Sequence, residues 1–174
     1  MNSTKRLNDN IKIVVSDFDG IFTDGKLTVF SDGKTSKNVD YKDIMGIANI
    51  LKKGIKFAII SGEKSAAIDI LKEKFPTIYT FQNERKKIQV LTTLLEENNI
   101  NPEDAIYIGD DINDIECLNL VGNPFTVANA HNEVKRIEKI KITTNNGGCG
   151  AFREIVDLLP WKSSLQGYST ESIN

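Results

Sequence analysis

Asp17 and Asp19 stand two residues apart at the end of the apolar run Ile11-Lys-Ile-Val-Val-Ser16, and Gly20 follows them. The run is too short for a helix and reads as a buried strand. Side chains at i and i+2 of a strand share a side, so both carboxylates face one crevice, roughly 7 Å apart on an extended chain. Two such charges repel unless a cation joins them or one keeps its proton. The first outcome gives a metal-bound nucleophile and the second a general acid. Alone, the pair also fits a polar strand end with turn-forming Asp residues.

Three further features stand in comparable places. Ser61 and Gly62 follow the apolar run Lys56-Phe-Ala-Ile-Ile60, where the hydroxyl and the backbone N–H groups of Gly62 and Glu63 can meet a phosphate at a helix N-terminus. A plain helix cap is the competing account of Ser61. Lys87, near the start of the following helix, can reach the same edge as a point charge, and its neighbour Lys86 is the alternative. Asp110, Asp111 and Asp114 follow Ala105-Ile-Tyr-Ile108. Three acids in five residues are more than a cap needs, and beside Asp17 and Asp19 they imply a cation. Oxygen ligands with no His or Cys nearby suit Mg²⁺ rather than Zn²⁺. Together the features make a phosphate site with a carboxylate nucleophile.

The elements that must position these residues alternate. Apolar strands are expected at 11–16, 56–60, 77–81, 105–108 and 125–127, with another at 140–143. Helices are expected from Asp43, as a cap, to Lys53, and at 64–75, 85–97, 113–121 and 151–159. This is the pattern of an α/β, Rossmann-like doubly wound parallel sheet, whose ligands bind at the C-terminal ends of its strands. Lys26–Lys34, with Ser31-Asp32-Gly33 at its centre, reads as a small β-hairpin inserted after the first strand, far too small for a cap domain. Leu27, Val29 and Phe30 on that hairpin need a cover, which predicts assembly through Lys26–Asn38.

Composition bounds the rest. A chain of 174 residues fits a single domain over 1–174, with the core at about 11–159 and a loose polar tail at 160–174. With a net charge of -2, no field gathers nucleic acid or an anionic membrane. Met1–Asn10 carries no apolar segment, so no signal peptide is expected, and no run approaches a membrane span. Two cysteines, Cys117 and Cys149, make neither a disulfide framework nor a four-ligand zinc site, and the expected compartment is the cytoplasm. His131 is the only histidine, which argues against a histidine-centred triad or a phosphohistidine mechanism. Carboxylates must carry any chemistry.

In order, Asp17-Phe-Asp-Gly-Ile-Phe-Thr-Asp-Gly25, Ser61, Lys87 and Gly109-Asp-Asp-Ile-Asn-Asp114 resemble the four motifs of the haloacid dehalogenase-like phosphatases. Val39-Asp-Tyr-Lys-Asp-Ile-Met-Gly46, Gln82 and Gly147-Gly-Cys-Gly-Ala-Phe-Arg-Glu154 make the chain similar to their small capless branch. That branch acts on phosphorylated 3-deoxy-2-ulosonic acids, such as 3-deoxy-manno-octulosonate (KDO) 8-phosphate and the nonulosonate KDN 9-phosphate. The resemblance implies a Mg²⁺-dependent phosphatase for a small sugar-acid phosphate. In it Asp17 is the nucleophile, Asp19 the acid/base, and Ser61 and Lys87 the phosphoryl ligands. Asp17, the Asp19 carbonyl and Asp110 hold the metal with Asp114 in support, and Gly62, Glu63 and Asp111 meet substrate. It further implies a homotetramer whose hairpins form a central barrel and whose neighbouring subunits help close each site; a carboxylate at Glu63 leaves the substrate carboxylate to basic groups, Arg153 of a neighbouring subunit being one candidate. The chain departs from the octulosonate pattern at Glu63, where Arg is usual. Glu is similar to the KDN 9-phosphate type, whose following basic residues are replaced here by Ala66, Ala67, Ile68 and Asp69.

Two other classes compete. A receiver-type signalling domain also unites Asp, Ser/Thr and Lys, but its phosphoacceptor follows the third strand, where Thr80-Phe-Gln82 offers none. A catalytically weak oligomerisation module of the kind fused to sugar-acid cytidylyltransferases tends to lose the second acid of the pair, and Asp19 is retained.

Overall fold

The computed structural model describes residues 10–160, so the expected loose tail lies outside the described residues apart from Pro160. Six parallel strands form the sheet: β1 (Ile13–Ser16), β4 (Lys56–Ile60), β5 (Tyr79–Phe81), β6 (Ala105–Ile108), β7 (Asn123–Thr126) and β8 (Lys141–Ile142). Their order is β5-β4-β1-β6-β7-β8. The chain runs outward from β1 through β4 to β5, then returns to lay β6 on the other side of β1. The point where strand order reverses therefore lies between β1 and β6, where a doubly wound sheet opens its crevice.

Strict alternation sets the two faces. Val14, Phe57, Ile59, Ile106 and Ile108 point to one side. Ile13, Val15, Ala58, Ile60, Ala105 and Tyr107 point to the other. The first side is covered by α1 (Tyr41–Lys52), α2 (Ala66–Lys74) and α6 (Ala151–Asp157), the second by α3 (Lys87–Glu97), α4 (Ile115–Leu120) and α5 (Asn132–Lys135). Under α1 and α6, Phe22, Phe57 and Phe152 form a ring cluster with centroids 4.5–6.0 Å apart. Each buried ring contributes about 1.5–3 kcal/mol by area alone.

Two short strands, β2 (Thr28–Val29) and β3 (Thr35–Ser36), make the expected hairpin as a separate antiparallel ribbon. Leu27, Val29 and Phe30 on it are all more than half exposed.

Several helices start away from their expected positions, α3 at Lys87 and α4 at Ile115 by two residues each, and two shifts bear on packing and the site. Asp40, not Asp43, caps α1, accepting the Lys42 N–H at 2.8 Å. Asp43 is fully buried one turn later and accepts the N–H groups of Gly150 (3.2 Å) and Arg153 (2.9 Å), so one helix caps another. Burial raises its carboxyl to about 6 against those two donors. Both Asp residues precede the apolar stripe at plausible spacing, and only the packing of α6 on α1 decides between them. Asp43→Ala leaves both donors without their acceptor at a cost of about 1–3 kcal/mol, which is roughly 2–12 °C in Tm. An unchanged melting temperature would contradict the cap.

The second shift concerns Ser61. Helix α2 starts only at Ala66, with Ser65 at its N-cap, so Ser61–Lys64 is a loop and no helix N-terminus meets Ser61, Gly62 or Glu63. Gln82 stabilises this arrangement: it accepts the Ser65 N–H at 2.7 Å and donates to Asp69 at 2.7 Å. The late start of α2 leaves the loop open on the crevice.

Candidate active site

At the reversal point, Asp17, Asp19, Gly20, Gly25, Ser61, Gly62, Glu63, Lys87, Asp110, Asp111 and Asn113 line one cleft of about 270 Å³. Every expected catalytic, metal-binding and substrate-binding residue of this chain except Asp114 and the candidate Arg153 lines it, and Asp114 lies fully buried behind it.

Asp17 extends β1, donating its N–H to Ile108 at 2.8 Å, so its carboxylate leaves the sheet where β1 meets β6. The chain then turns rather than continuing as a strand: Phe22 N–H reaches back to the Phe18 carbonyl at 2.9 Å. Thr23 closes this turn, its hydroxyl accepting the Gly20 and Gly25 N–H groups, each at 3.2 Å. Asp19 therefore faces the cleft from a turn, not from strand alternation. Gly20 has φ 82°, and a Cβ there would stand 2.0 Å from an Asp110 carboxylate oxygen, so only glycine lets β6 bring Asp110 this close. The glycine-rich loop buttresses the other side of the turn: a Cβ on Gly147 would meet the Gly20 carbonyl at 1.7 Å.

Lys87, not Lys86, enters the site. It is the first residue of α3 and only 2% exposed. Its ammonium bridges Asp17 Oδ2 (3.0 Å) and Asp114 Oδ1 (2.9 Å). Asp114 also accepts the Tyr107 hydroxyl at 2.8 Å and the N–H groups of Asp110 (3.1 Å) and Asp111 (3.3 Å). Asp114 thus organises the β6 loop from below. Asp111 accepts the Ile112 N–H at 2.7 Å, and the Asp111 and Asp114 side chains accept each other's backbone N–H in a reciprocal cap.

Oxygens of Asp17, Asp110 and Asp114 lie within 4.8 Å of one another. Burial first, then Asp114, pushes Asp17 up to about 8 against the pull of Lys87. Burial, then Asp114 and Asp111, raises Asp110 to about 7. Burial alone would pull Lys87 down, but Asp114 and Asp17 outweigh it and hold the ammonium above its ordinary value. One lysine against three carboxylates leaves two negative charges, which a hard divalent cation on oxygen ligands neutralises. The donor set therefore fits Mg²⁺.

Four contributors have no role assigned from the sequence, although Thr23 and Asn113 stand inside the quoted motifs. Asn113 lines the cleft. Tyr107, Thr23 and Lys37 act through long-range or turn contacts, Lys37 by placing its ammonium 2.7 Å from both Asp19 carboxylate oxygens. Tyr107 leaves a trace outside those motifs, as a polar-tipped residue in a strand buried on both faces. Arg153 does not line the cleft of its own chain and pairs with Asp157 at 2.8 Å.

A buried carboxylate cluster with a shared lysine, at the crevice of a doubly wound sheet, fits a phosphoryl-transfer site of the haloacid dehalogenase type. The family profile of the haloacid dehalogenase-like hydrolases matches residues 64–153, and the chain belongs to that family. It is 32% identical over 152 residues to the 3-deoxy-D-manno-octulosonate 8-phosphate phosphatase KdsC of Salmonella typhi, covering 87% of this chain and 80% of that protein. Among solved structures it is similar to the 3-deoxy-D-manno-octulosonate 8-phosphate phosphatase of Moraxella catarrhalis in complex with magnesium ion, phosphate ion and KDO. That match has a TM-score of 0.81 and 31% identity, covering 86% of each chain. A putative hydrolase of the same family from Streptomyces avermitilis matches with a TM-score of 0.81 and 36% identity, over 87% of this chain and 86% of that one.

Proposed function

We propose that this protein is a Mg²⁺-dependent phosphatase that hydrolyses the terminal phosphomonoester of a 3-deoxy-2-ulosonic acid phosphate, with KDO 8-phosphate the first candidate. The observation that carries the chemistry is the Lys87 bridge between Asp17 and Asp114 at the mouth that also holds Asp19, Ser61 and Asp110. The sugar class is supported by 32% identity, over 87% of the chain, to proteins that act on that substrate.

Asp17, Asp110 and the Asp19 carbonyl would hold Mg²⁺, with Asp114 in support. The ion, when bound, supplies positive charge to the phosphoryl oxygens. An Asp17 carboxylate oxygen attacks phosphorus while the bond from phosphorus to the sugar oxygen breaks. Asp19 donates its proton to that leaving oxygen. In the second step Asp19 takes a proton from water, which attacks the same phosphorus and frees Asp17 and inorganic phosphate. Lys87 holds Asp17 by one oxygen, and the Phe18 N–H holds the other at 2.6 Å, so the nucleophile has a fixed orientation. Ser61 Oγ donates to the Glu63 carbonyl at 2.9 Å, which rigidifies the loop that presents Ser61 and Gly62 to a phosphoryl group.

Phosphate release from KDO 8-phosphate, KDN 9-phosphate, N-acetylneuraminate 9-phosphate and hexose phosphates tests the substrate class. A preference for hexose phosphates over all three sugar acids would contradict it.

Glu63, exposed on the cleft rim, favours substrate hydroxyls, for which it is an acceptor, over a second anion. Glu63→Ala should lower kcat/KM for the sugar-acid phosphate about 10- to 1000-fold and leave p-nitrophenyl phosphate nearly unchanged. Equal losses on both substrates would leave Glu63 without a selective role.

The assembly we assign is a homotetramer through Lys26–Asn38, since a lone two-stranded ribbon with three exposed apolar residues is marginal in water. Light scattering at micromolar concentration should give four times the chain mass, and a monomer mass would refute it. The compartment we assign is the cytoplasm. No helix among the described residues is long and apolar enough to cross a membrane.

A further inference from the structure

Asp19 performs its proton transfers only if its carboxylate points at the leaving oxygen, and nothing on the sheet holds it there. The Thr23 hydroxyl stands 3.5 Å from Asp19 Oδ1, at the far limit of a hydrogen bond. Its strong partner comes from the hairpin. Lys37, the residue after β3, lays its ammonium 2.7 Å from Oδ1 and 2.7 Å from Oδ2. The pair is largely shielded, with side-chain exposures of 19% and 32%, unlike the solvated ion pairs Lys26–Asp24 and Lys34–Asp32 on the same hairpin. One cation equidistant from both oxygens fixes the plane of the carboxylate, not only its distance.

The hairpin contributes no strand to the main sheet, and through Lys37 it touches Asp19. Lys37 also lines a groove with Leu27, Ser65, Ala66 and Ile70 that shares Glu63 with the active-site cleft.

We propose that Lys37 is a positioning residue for Asp19, and that the hairpin therefore sets the efficiency of leaving-group protonation. The proposal rests on the phosphatase assignment above. In the first step Asp19 enters with a proton on the oxygen that faces the leaving group, with Lys37 remaining on the other oxygen, and as the bond from phosphorus to the sugar oxygen breaks that proton passes to the sugar oxygen, leaving Asp19 a carboxylate. Lys37 neither gives nor takes it, and holds the carboxylate in line. A purely structural salt bridge would anchor the hairpin and leave the chemistry indifferent to the leaving group.

The test uses the full chain with saturating Mg²⁺ and the variants Lys37→Met, Lys37→Arg, Asp19→Asn and the Lys37→Met/Asp19→Asn double. Single-turnover cleavage of p-nitrophenyl phosphate, whose leaving group needs no proton, should change less than about threefold in Lys37→Met. Single-turnover cleavage of the sugar-acid phosphate should slow about 10- to 100-fold in its limiting rate, with the half-saturating concentration little changed. Lys37→Arg should recover most of that loss. Lys37→Met should add nothing in the Asp19→Asn background, because residues acting through one another are not additive. Full activity of Lys37→Met, equal losses on both substrates, or a further loss beyond Asp19→Asn would each overturn the proposal. Turnover by the unaltered chain tests the phosphatase assignment separately, so those outcomes count against Lys37 alone. A melting curve of Lys37→Met coincident with the parent excludes misfolding, and should the variant melt early, Lys37→Gln carries the same comparison.

Discussion

Asp17→Asn should cut turnover at least about 1000-fold while leaving the fold intact. The substitution is isosteric, but an amide oxygen is a poor nucleophile and brings no charge to a cation. The neighbourhood sharpens the expectation. Asp17 Oδ2 faces Lys87 at 3.0 Å, and Asp17 is only 6% exposed, so no other carboxylate can slide into its place. Asp110 is held in its own loop, and Asp114 is committed to Lys87, Tyr107 and two backbone donors. With Asp17 at about 8 in the metal-free fold, the amide replaces a largely neutral carboxyl at pH 7, so the variant should melt close to the parent in the absence of metal. A folded Asp17→Asn protein that keeps more than a few per cent of parental turnover would sink the assignment.

Chelation should have a comparably large effect. Turnover should fall below a few per cent with EDTA and return with Mg²⁺, while Ca²⁺ should bind and support little, its longer and looser coordination misplacing the nucleophile. The raised carboxyls add a pH signature. Asp17 sits at about 8 and Asp110 at about 7 in the metal-free fold, against about 3.9 in an unfolded chain. Between about pH 4 and pH 8 the folded state therefore binds more protons than the unfolded state, and metal-free stability falls as pH rises. Mg²⁺ competes with those protons. The increase in Tm on adding Mg²⁺ should thus grow from pH 6 to pH 8.5, with proton release on binding. A Tm increment independent of pH, or full turnover after rigorous chelation, would contradict the metal site.

The sheet was legible because its strands are short apolar runs with unmistakable ends: Lys56–Ile60 and Ala105–Ile108 are observed as expected. The four chemical features were legible for a related reason. Each follows, or sits one helix turn from, a strand that a parallel sheet must deliver to one edge. What escaped depends on distance in space. Asp40 and Asp43 offer equal local cap signals, and only the α1–α6 contact separates them. Glu63 and Lys64 suit a helix, yet Gln82, seventeen residues beyond Ser65, fixes the start of α2 at Ala66. Four-residue α5 carries too little periodicity to register. Lys37 looks like a solvated hairpin charge until the fold brings it eighteen residues back to Asp19.

The most direct test of the central claim is capture of the covalent intermediate. Asp19→Asn slows release of the phosphoryl group, so with Mg²⁺ and p-nitrophenyl phosphate the variant should accumulate phosphorylated protein on rapid acid quenching. Peptide mass spectrometry should place a single phosphoryl group on Asp17. Turnover without any trapped adduct, or a phosphoryl group on Asp110 or another residue, would contradict the account.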